Sequence, residues 1–285
     1  MRMKQEITER EIMRFAVYLR QEEREPATIE AYLRATGKFA VWLNGRAVTK
    51  GLTTEWKAFL VEQSYRPASV NAMLAAVNKL LTCMGREDCK VRYLRLQRQM
   101  FRRAEQELTR PEYQRLLDAA QARGDTRLVL LLETLCATGI RVGELQYITV
   151  EAVRSGVAEI ALKGKIRTIL LPTKLCRKLL KYAKRRNIRH GKIFLTRKGK
   201  PLSRKFIWSE MKKLCQTAKV SRNKVFPHNL RSLFARTFYA ACRDVVHLAD
   251  VLGHSSIETT RIYLRATAKE SARRLDGLNL LSGWA

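Results

Sequence analysis

The chain is poor in acidic residues and lacks the patterns that mark several common protein classes. Of its 285 residues, 56 are lysine or arginine and only 26 are aspartate or glutamate. Its six cysteines form no Cys-x-x-Cys pair, and no histidine lies at zinc-finger spacing. These absences exclude the common structural zinc modules and favour a reduced, cytoplasmic setting.

Long apolar runs are also missing. The charged N-terminus contains no apolar signal core, and the run Leu128–Leu132 is stopped by Glu133, far short of a bilayer span. There is no cluster of aspartate and glutamate of the kind that holds Mg²⁺. We therefore expect no membrane association, no metal and no cofactor.

What the chain has in excess is positive charge. Its formal net charge is +30, of which residues 1–105 carry +8 and residues 106–285 carry +22. Hydrophobic residues make up 46%, enough to build buried cores. A surplus of this size points to a polyanionic partner, most commonly nucleic acid, although lysine and arginine on solvated faces are an alternative.

Apolar spacing and helix punctuation divide the chain into two domains. Residues 1–88 show apolar residues at helical spacing, with prolines that open helices and an Asn44-Gly45 stop. Residues 89–106 form a basic linker with little apolar content. Thr109–Glu112 is a capping box and opens a second domain over 107–285.

The second domain is predicted to be helical with one β-hairpin. Two β-like runs, Val157–Leu162 and Ile166–Leu171, flank Lys163-Gly164-Lys165. Helices are predicted elsewhere, including one opened by a capping box at Ser255–Glu258. The fold class is thus mainly α with a small β-hairpin.

Three motifs occur in order along this domain. They read Thr138-Gly139-Ile140-Arg141, His228-Asn229-Leu230-Arg231, and Leu252-Gly253-His254 followed nine residues later by Tyr263. Cutting a phosphodiester requires neutralised phosphate oxygens, a nucleophile, a base for it and an acid for the leaving oxygen. Arginine suits the first task because its planar fork binds phosphate bidentately and keeps its charge.

Each motif alone has an ordinary structural explanation. Arg141 could be a surface arginine paired with Glu144, His228 could cap its helix, and Tyr263 could be a core aromatic. His228 and Arg231 are i and i+3, on a face opposite the apolar stripe of their helix, so we expect them outside the densest packing.

The three motifs together resemble those of the tyrosine recombinase (phage integrase) family, over nearly the whole chain. The resemblance implies a C-shaped two-domain DNA clamp, with an N-terminal helical core-binding (SAM-like) domain and a C-terminal catalytic domain. The resemblance further leads us to expect that the chain begins at the core-binding domain, as in Xer-like recombinases and small mobile-element integrases.

The family's chemical roles fall on residues of this chain. The resemblance implies that Arg141 and Arg231 clamp the phosphate and that Tyr263 attacks it, leaving a 3′-phosphotyrosine. His228 would serve as base and later as acid, and His254 would hydrogen-bond the phosphate.

The remaining role, the acid that protonates the 5′ oxygen, belongs to a hairpin lysine. Lys163 matches it, with Lys165 as the rival because the turn is about one residue shorter than usual. Glu144 matches the acidic position after the first arginine. Ser232 stands where the family often has histidine, at a position outside the six chemical roles.

The implied partners are double-stranded DNA recombination sites, four copies of the chain on two duplexes, and accessory DNA-bending factors, in a nucleoid-associated protein. The apolar residues of the C-terminal tail would pack either on a neighbouring copy or on their own domain. A type IB-like topoisomerase and a catalytically inactive DNA-binding regulator are the alternatives. The motifs leave open the target sequence and whether the reaction serves integration or resolution.

Overall fold

A computed structural model describes residues 6–96, 104–162, 165–196 and 198–278. The contacts divide the chain into two compact units, Met1–Arg98 and Gln99–Ala285. Each unit has its own apolar core.

The first unit is helical and is built around an aromatic cluster. The rings of Phe39, Trp42, Trp56 and Phe59 lie with centroids 5.4–6.3 Å apart, a spacing at which aromatic pairs attract each other. In the described part, the helices are α1 (Glu9–Gln21), α2 (Pro26–Leu43), α3 (Lys50–Glu62) and α4 (Pro67–Cys83).

The segment that follows α4 is fixed to that helix by two asparagines. Asn78 accepts a hydrogen bond from the backbone N–H of Val91 at 3.0 Å and donates one to its carbonyl at 2.9 Å. Asn71, seven residues earlier on the same face, makes the same pair with Leu94. The two side-chain amides therefore satisfy the backbone N–H and C=O groups at the start of the linker, as a neighbouring β-strand would.

The predicted capping box is present in the second unit, where Thr109 and Glu112 cap α5. Its helices and strands, in the described residues, are α5 (Arg110–Ala122), α6 (Thr126–Thr138), α7 (Val150–Ser155), β1 (Val157–Leu162), β2 (Lys165–Leu170), α8 (Thr173–Arg185), α9 (Arg204–Lys213), α10 (Pro227–Cys242), α11 (Val245–Leu252), α12 (Ile257–Leu264) and α13 (Ala268–Asp276). A 3-10 segment, Val142–Tyr147, follows α6.

The predicted hairpin is present, as an antiparallel pair of β1 and β2. Leu162 pairs with Lys165, so Lys165 belongs to β2 and not to the turn. Lys163 lies outside the described residues.

Two local predictions were wrong. The cap of α12 is Ser256 and not Ser255, because the Ser256 hydroxyl accepts from the backbone of Glu258. Arg231 was expected outside the dense packing, but its residue exposure is 2%. Its guanidinium is buried because it bonds the carbonyls at two helix ends, as described below.

No described helix combines the length and the apolar character needed to cross a membrane. In the predicted apolar tail, Leu275 and Leu278 are exposed. Its remaining members, Leu280, Leu281 and Trp284, lie outside the described residues.

Replacing Asn78 tests the anchoring of the linker. Asn78→Ala removes two buried hydrogen bonds and leaves the polar groups of Val91 unpaired, so we expect the free energy of unfolding to fall by about 2–3 kcal/mol. Asn71→Ala is the matched control, since Asn71 makes the same bonds at a more exposed position and should cost less. Urea unfolding of the full chain measures both, and equal losses would contradict the account.

Candidate active site

The first motif places Arg141 at the edge of a cleft, held by a buried carboxylate. Gly139 ends α6 in the left-handed conformation, and Arg141 caps the 3-10 segment that follows. Glu144, 2% exposed, accepts from the Arg141 backbone N–H at 2.7 Å and from its Nη1 at 3.1 Å. The Arg141 side chain remains 46% exposed, so its charge is fixed in position yet open to a ligand.

Arg231 joins three segments of the second unit. From α10 it donates to the carbonyl of Gly139, beyond the end of α6, and to the carbonyl of Leu252 at 2.8 Å, in the last turn of α11. The last carbonyls of a helix have no partner within it and attract cations, which explains why a buried arginine is stable here. Its Nη2 also lies 2.8 Å from Nε2 of His254.

These contacts decide the protonation of His254. Arginine only donates, so Nε2 of His254 accepts, and Nδ1 carries the proton toward the Thr260 hydroxyl, 2.8 Å away. Burial and the positive charges of Arg231, Arg141 and Arg167 lower the pKa of His254 to about 4. Both ring nitrogens are thus engaged by the protein, and the ring is neutral at neutral pH.

Tyr263 lies between the two histidines. Its ring centroid is 5.5 Å from that of His228 and 6.0 Å from that of His254, nearly parallel to the latter. The residue is 5% exposed. Burial lowers the pKa of Arg231, and the nearby Tyr263 opposes that shift. Partial burial, together with the charges of Arg231 and Arg141, lowers the pKa of His228, so this ring is also neutral at neutral pH.

The structure therefore brings together the five predicted residues that it describes: Arg141, His228, Arg231, His254 and Tyr263. The sixth, Lys163, lies outside the described residues, and the choice between it and Lys165 stays open. A cleft of about 420 Å³ adjoins the cluster, lined among others by Arg141, Arg204 and His254.

The sequence interpretation missed Arg167, which lines the same cleft. It lies on β2 opposite Ile160 and donates to the Glu144 carboxylate. Arg167 lies on the same face of β2 as the buried Ile169, whereas Ile166 and Leu170 are exposed. The apolar residues of β2 do not alternate in the sequence, so no local pattern marks this inward face.

The lowered pKa of His254 predicts a pH-dependent stability. Between about pH 6.5 and pH 4 the unfolded chain binds a proton at this ring that the folded protein does not. Stability from this residue is therefore complete above pH 6.5 and is lost as the pH falls.

From pH 7 to pH 4.5 we expect the wild type to lose about 2 kcal/mol more unfolding free energy than His254→Gln. Urea unfolding at both pH values measures this difference. Parallel pH profiles for the two proteins would contradict it.

Known proteins of similar sequence and structure identify the family of this chain. The sequence profile of the phage integrase family matches residues 106–270. The tyrosine recombinase XerA of Pyrococcus furiosus is 29% identical over 277 residues, covering 94% of this chain and 93% of XerA.

Two solved structures share the fold. A XerH site-specific recombinase bound to its difH substrate has a TM-score of 0.67 at 19% identity, covering 86% of this chain and 78% of that one. A lambda integrase tetramer on a Holliday junction has a TM-score of 0.71 at 18% identity, covering 89% and 76%. With the profile match spanning more than half its length, this chain belongs to the phage integrase family.

Proposed function

We propose that this protein is a site-specific DNA recombinase that cuts and rejoins strands through a 3′-phosphotyrosyl intermediate at Tyr263. The observation that carries the proposal is the placement of the buried Tyr263 ring between the neutral rings of His228 and His254, with His254 hydrogen-bonded to the buried Arg231. A core tyrosine needs neither a buried cation nor paired imidazoles.

The two arginines of the motifs bind the scissile phosphate. Arg231 is fixed by helix-end carbonyls and Arg141 by Glu144, so neither side chain must be ordered when DNA arrives. Charge that is already oriented stabilises the pentavalent transition state. At about 2–4 kcal/mol each, the pair supplies a rate factor of about 10³–10⁶.

His228 accepts the proton of the attacking hydroxyl. A free tyrosine has a pKa near 10 and is a poor nucleophile at neutral pH without help. The lowered pKa of His228 keeps its ring unprotonated and able to act as a base. In the reverse step the same ring returns the proton to the tyrosyl oxygen.

The role of His254 toward the phosphate depends on the hydrogen bonds that its ring makes in the free protein. Its Nε2 accepts from Arg231, so a hydrogen bond to the phosphate replaces that contact. The negative charge of the phosphate favours protonation of the ring, and the protonated Nε2 then donates to the phosphate instead of accepting from Arg231.

Lys163 donates the proton to the leaving 5′ oxygen. The hairpin that carries it borders the cleft through the paired residues Ile160 and Arg167. Neighbouring positive charge lowers a lysine pKa toward the range in which it serves as an acid.

The covalent phosphotyrosine conserves the energy of the broken bond, so a 5′-hydroxyl from a second duplex can rejoin it without a nucleotide cofactor. Four copies acting on two duplexes in the nucleoid complete the exchange, with accessory DNA-bending proteins as further partners. An apolar groove of about 660 Å³ beside α10, lined by Leu170, Phe234 and Phe238, gives these copies a contact surface.

Trapping the intermediate tests the proposal. The protein is incubated, with and without EDTA, with a pool of nicked duplexes of randomised sequence. Cleavage beside the nick releases a short strand fragment that diffuses away, so the covalent adduct accumulates. We expect the wild type to form a covalent adduct and Tyr263→Phe to form none. Tyr239→Phe, from the same apolar cluster, is the matched control and should retain it.

An adduct from Tyr263→Phe would overturn the nucleophile assignment, and inhibition by EDTA would overturn a mechanism without metal. Selected sites, placed on two labelled duplexes, should then exchange strands. Relaxation of a supercoiled plasmid without exchange would indicate a topoisomerase instead.

A second prediction assigns the acid. Lys163→Ala should slow cleavage of an ordinary substrate by a factor of about 10²–10⁴. In a substrate with sulfur in place of the bridging 5′ oxygen, the 5′ thiolate leaves without protonation. This substrate should therefore restore the cleavage rate of the Lys163 variant. Lys165→Ala is the matched control, and rescue of that variant alone would assign the acid to Lys165.

A further inference from the structure

An arginine outside the three motifs connects two of them. Arg167 projects from β2 with 14% of its side chain exposed. Its Nη2 donates to Glu144, the carboxylate that holds Arg141, and its Nη1 donates to the carbonyl of Val251 at 3.3 Å. Val251 lies in the last turn of α11, just before the turn that carries His254.

The contact with that turn is also steric. Gly253 adopts the left-handed conformation, with φ of +64°, and a Cβ there would lie 2.3 Å from Cδ of Arg167. The arginine stem therefore packs directly on the Gly253 backbone. Any larger residue would push the two apart, so the position of Arg167 and that of the His254 turn are set together.

Glu144 is hydrogen-bonded to both Arg141 and Arg167, so a change at one arginine affects the other. Its Oε2 accepts from both the Arg141 backbone and Arg167, while its Oε1 accepts from Arg141 Nη1. The carboxylate is almost fully buried, so its orientation depends on these donors rather than on water. Loss of the Arg167 contact lets Glu144 turn and Arg141 with it.

We propose that Arg167 is a positioning residue for DNA cleavage. Through its contacts with Glu144 and with the end of α11, it holds Arg141 and His254 in a fixed position relative to each other. The inference rests on the proposed function for its kinetic part only. A misplacement of about 1 Å in a reacting group costs about 10²-fold in rate, so the contribution is measurable.

The first test is independent of activity. Arg167→Lys keeps the charge but loses the two-nitrogen fork that reaches both acceptors. Hydrogen exchange should accelerate together in the segment 139–147 and in the segment 249–256. Ile166→Ala, an exposed neighbour on the same strand, is the matched control and should leave both unchanged. Unchanged exchange in either segment of the Arg167 variant would overturn the coupling.

The second test is the single-turnover cleavage rate on a site recovered from the nicked pool. This rate refers to DNA-bound protein, so loss of folded protein lowers the amplitude and not the rate constant. We expect Arg167→Lys to cleave 10–100-fold more slowly, with DNA affinity within about twofold of wild type. A rate within twofold of wild type would overturn the proposal.

A double-mutant cycle separates positioning from direct contact. If Arg167 acts through Glu144, the double variant Arg167→Lys, Glu144→Gln cleaves no more slowly than the slower single variant. Multiplied losses would mean that Arg167 touches the phosphate itself, which overturns the positioning role. Absence of any wild-type adduct would instead contradict the proposed function. The hydrogen-exchange measurement would still decide whether Arg167 couples Arg141 to the His254 turn.

Discussion

The site of the second unit depends on one buried guanidinium. Arg231 satisfies the carbonyl of Gly139 beyond α6 and that of Leu252 at the end of α11, and it contacts the ring of His254. Burying an unpaired charge is costly, so each of these partners stabilises the arginine as much as it is positioned by it. The same hydrogen bonds therefore hold the fold and arrange the chemistry.

Burial and the charges around this arginine together keep the two histidines neutral. Arg141 and Arg167 are paired with the buried carboxylate of Glu144, whereas Arg231 is held by backbone carbonyls. Burial and the positive charge of all three arginines lower the pKa of His254. A neutral histidine can accept a proton from tyrosine, whereas a protonated one cannot. A phosphodiester would supply the negative charge that three arginines and one carboxylate leave unbalanced.

Much of this arrangement was predictable from the sequence, and the reasons for the failures are physical. The family, the mainly helical fold with its hairpin, and the capping box at Thr109 follow from local patterns and are confirmed. The burial of Arg231 was not predicted, because helical periodicity shows which face is apolar but not which distant carbonyls an arginine will meet. Arg167 was missed because its partners, Glu144 and Val251, are 23 and 84 residues away in sequence. The roles of the six site residues and the C-shaped clamp remain predictions.

The most direct test of the central claim is to identify the residue that becomes attached to DNA. The trapped adduct is digested with protease and nuclease, and the nucleotide-linked peptide is sequenced by mass spectrometry. The account predicts a peptide spanning α12, with the nucleotide's 3′-phosphate on the oxygen of Tyr263. A phosphate on any other residue, or a linkage through the 5′ end of the DNA, would contradict it.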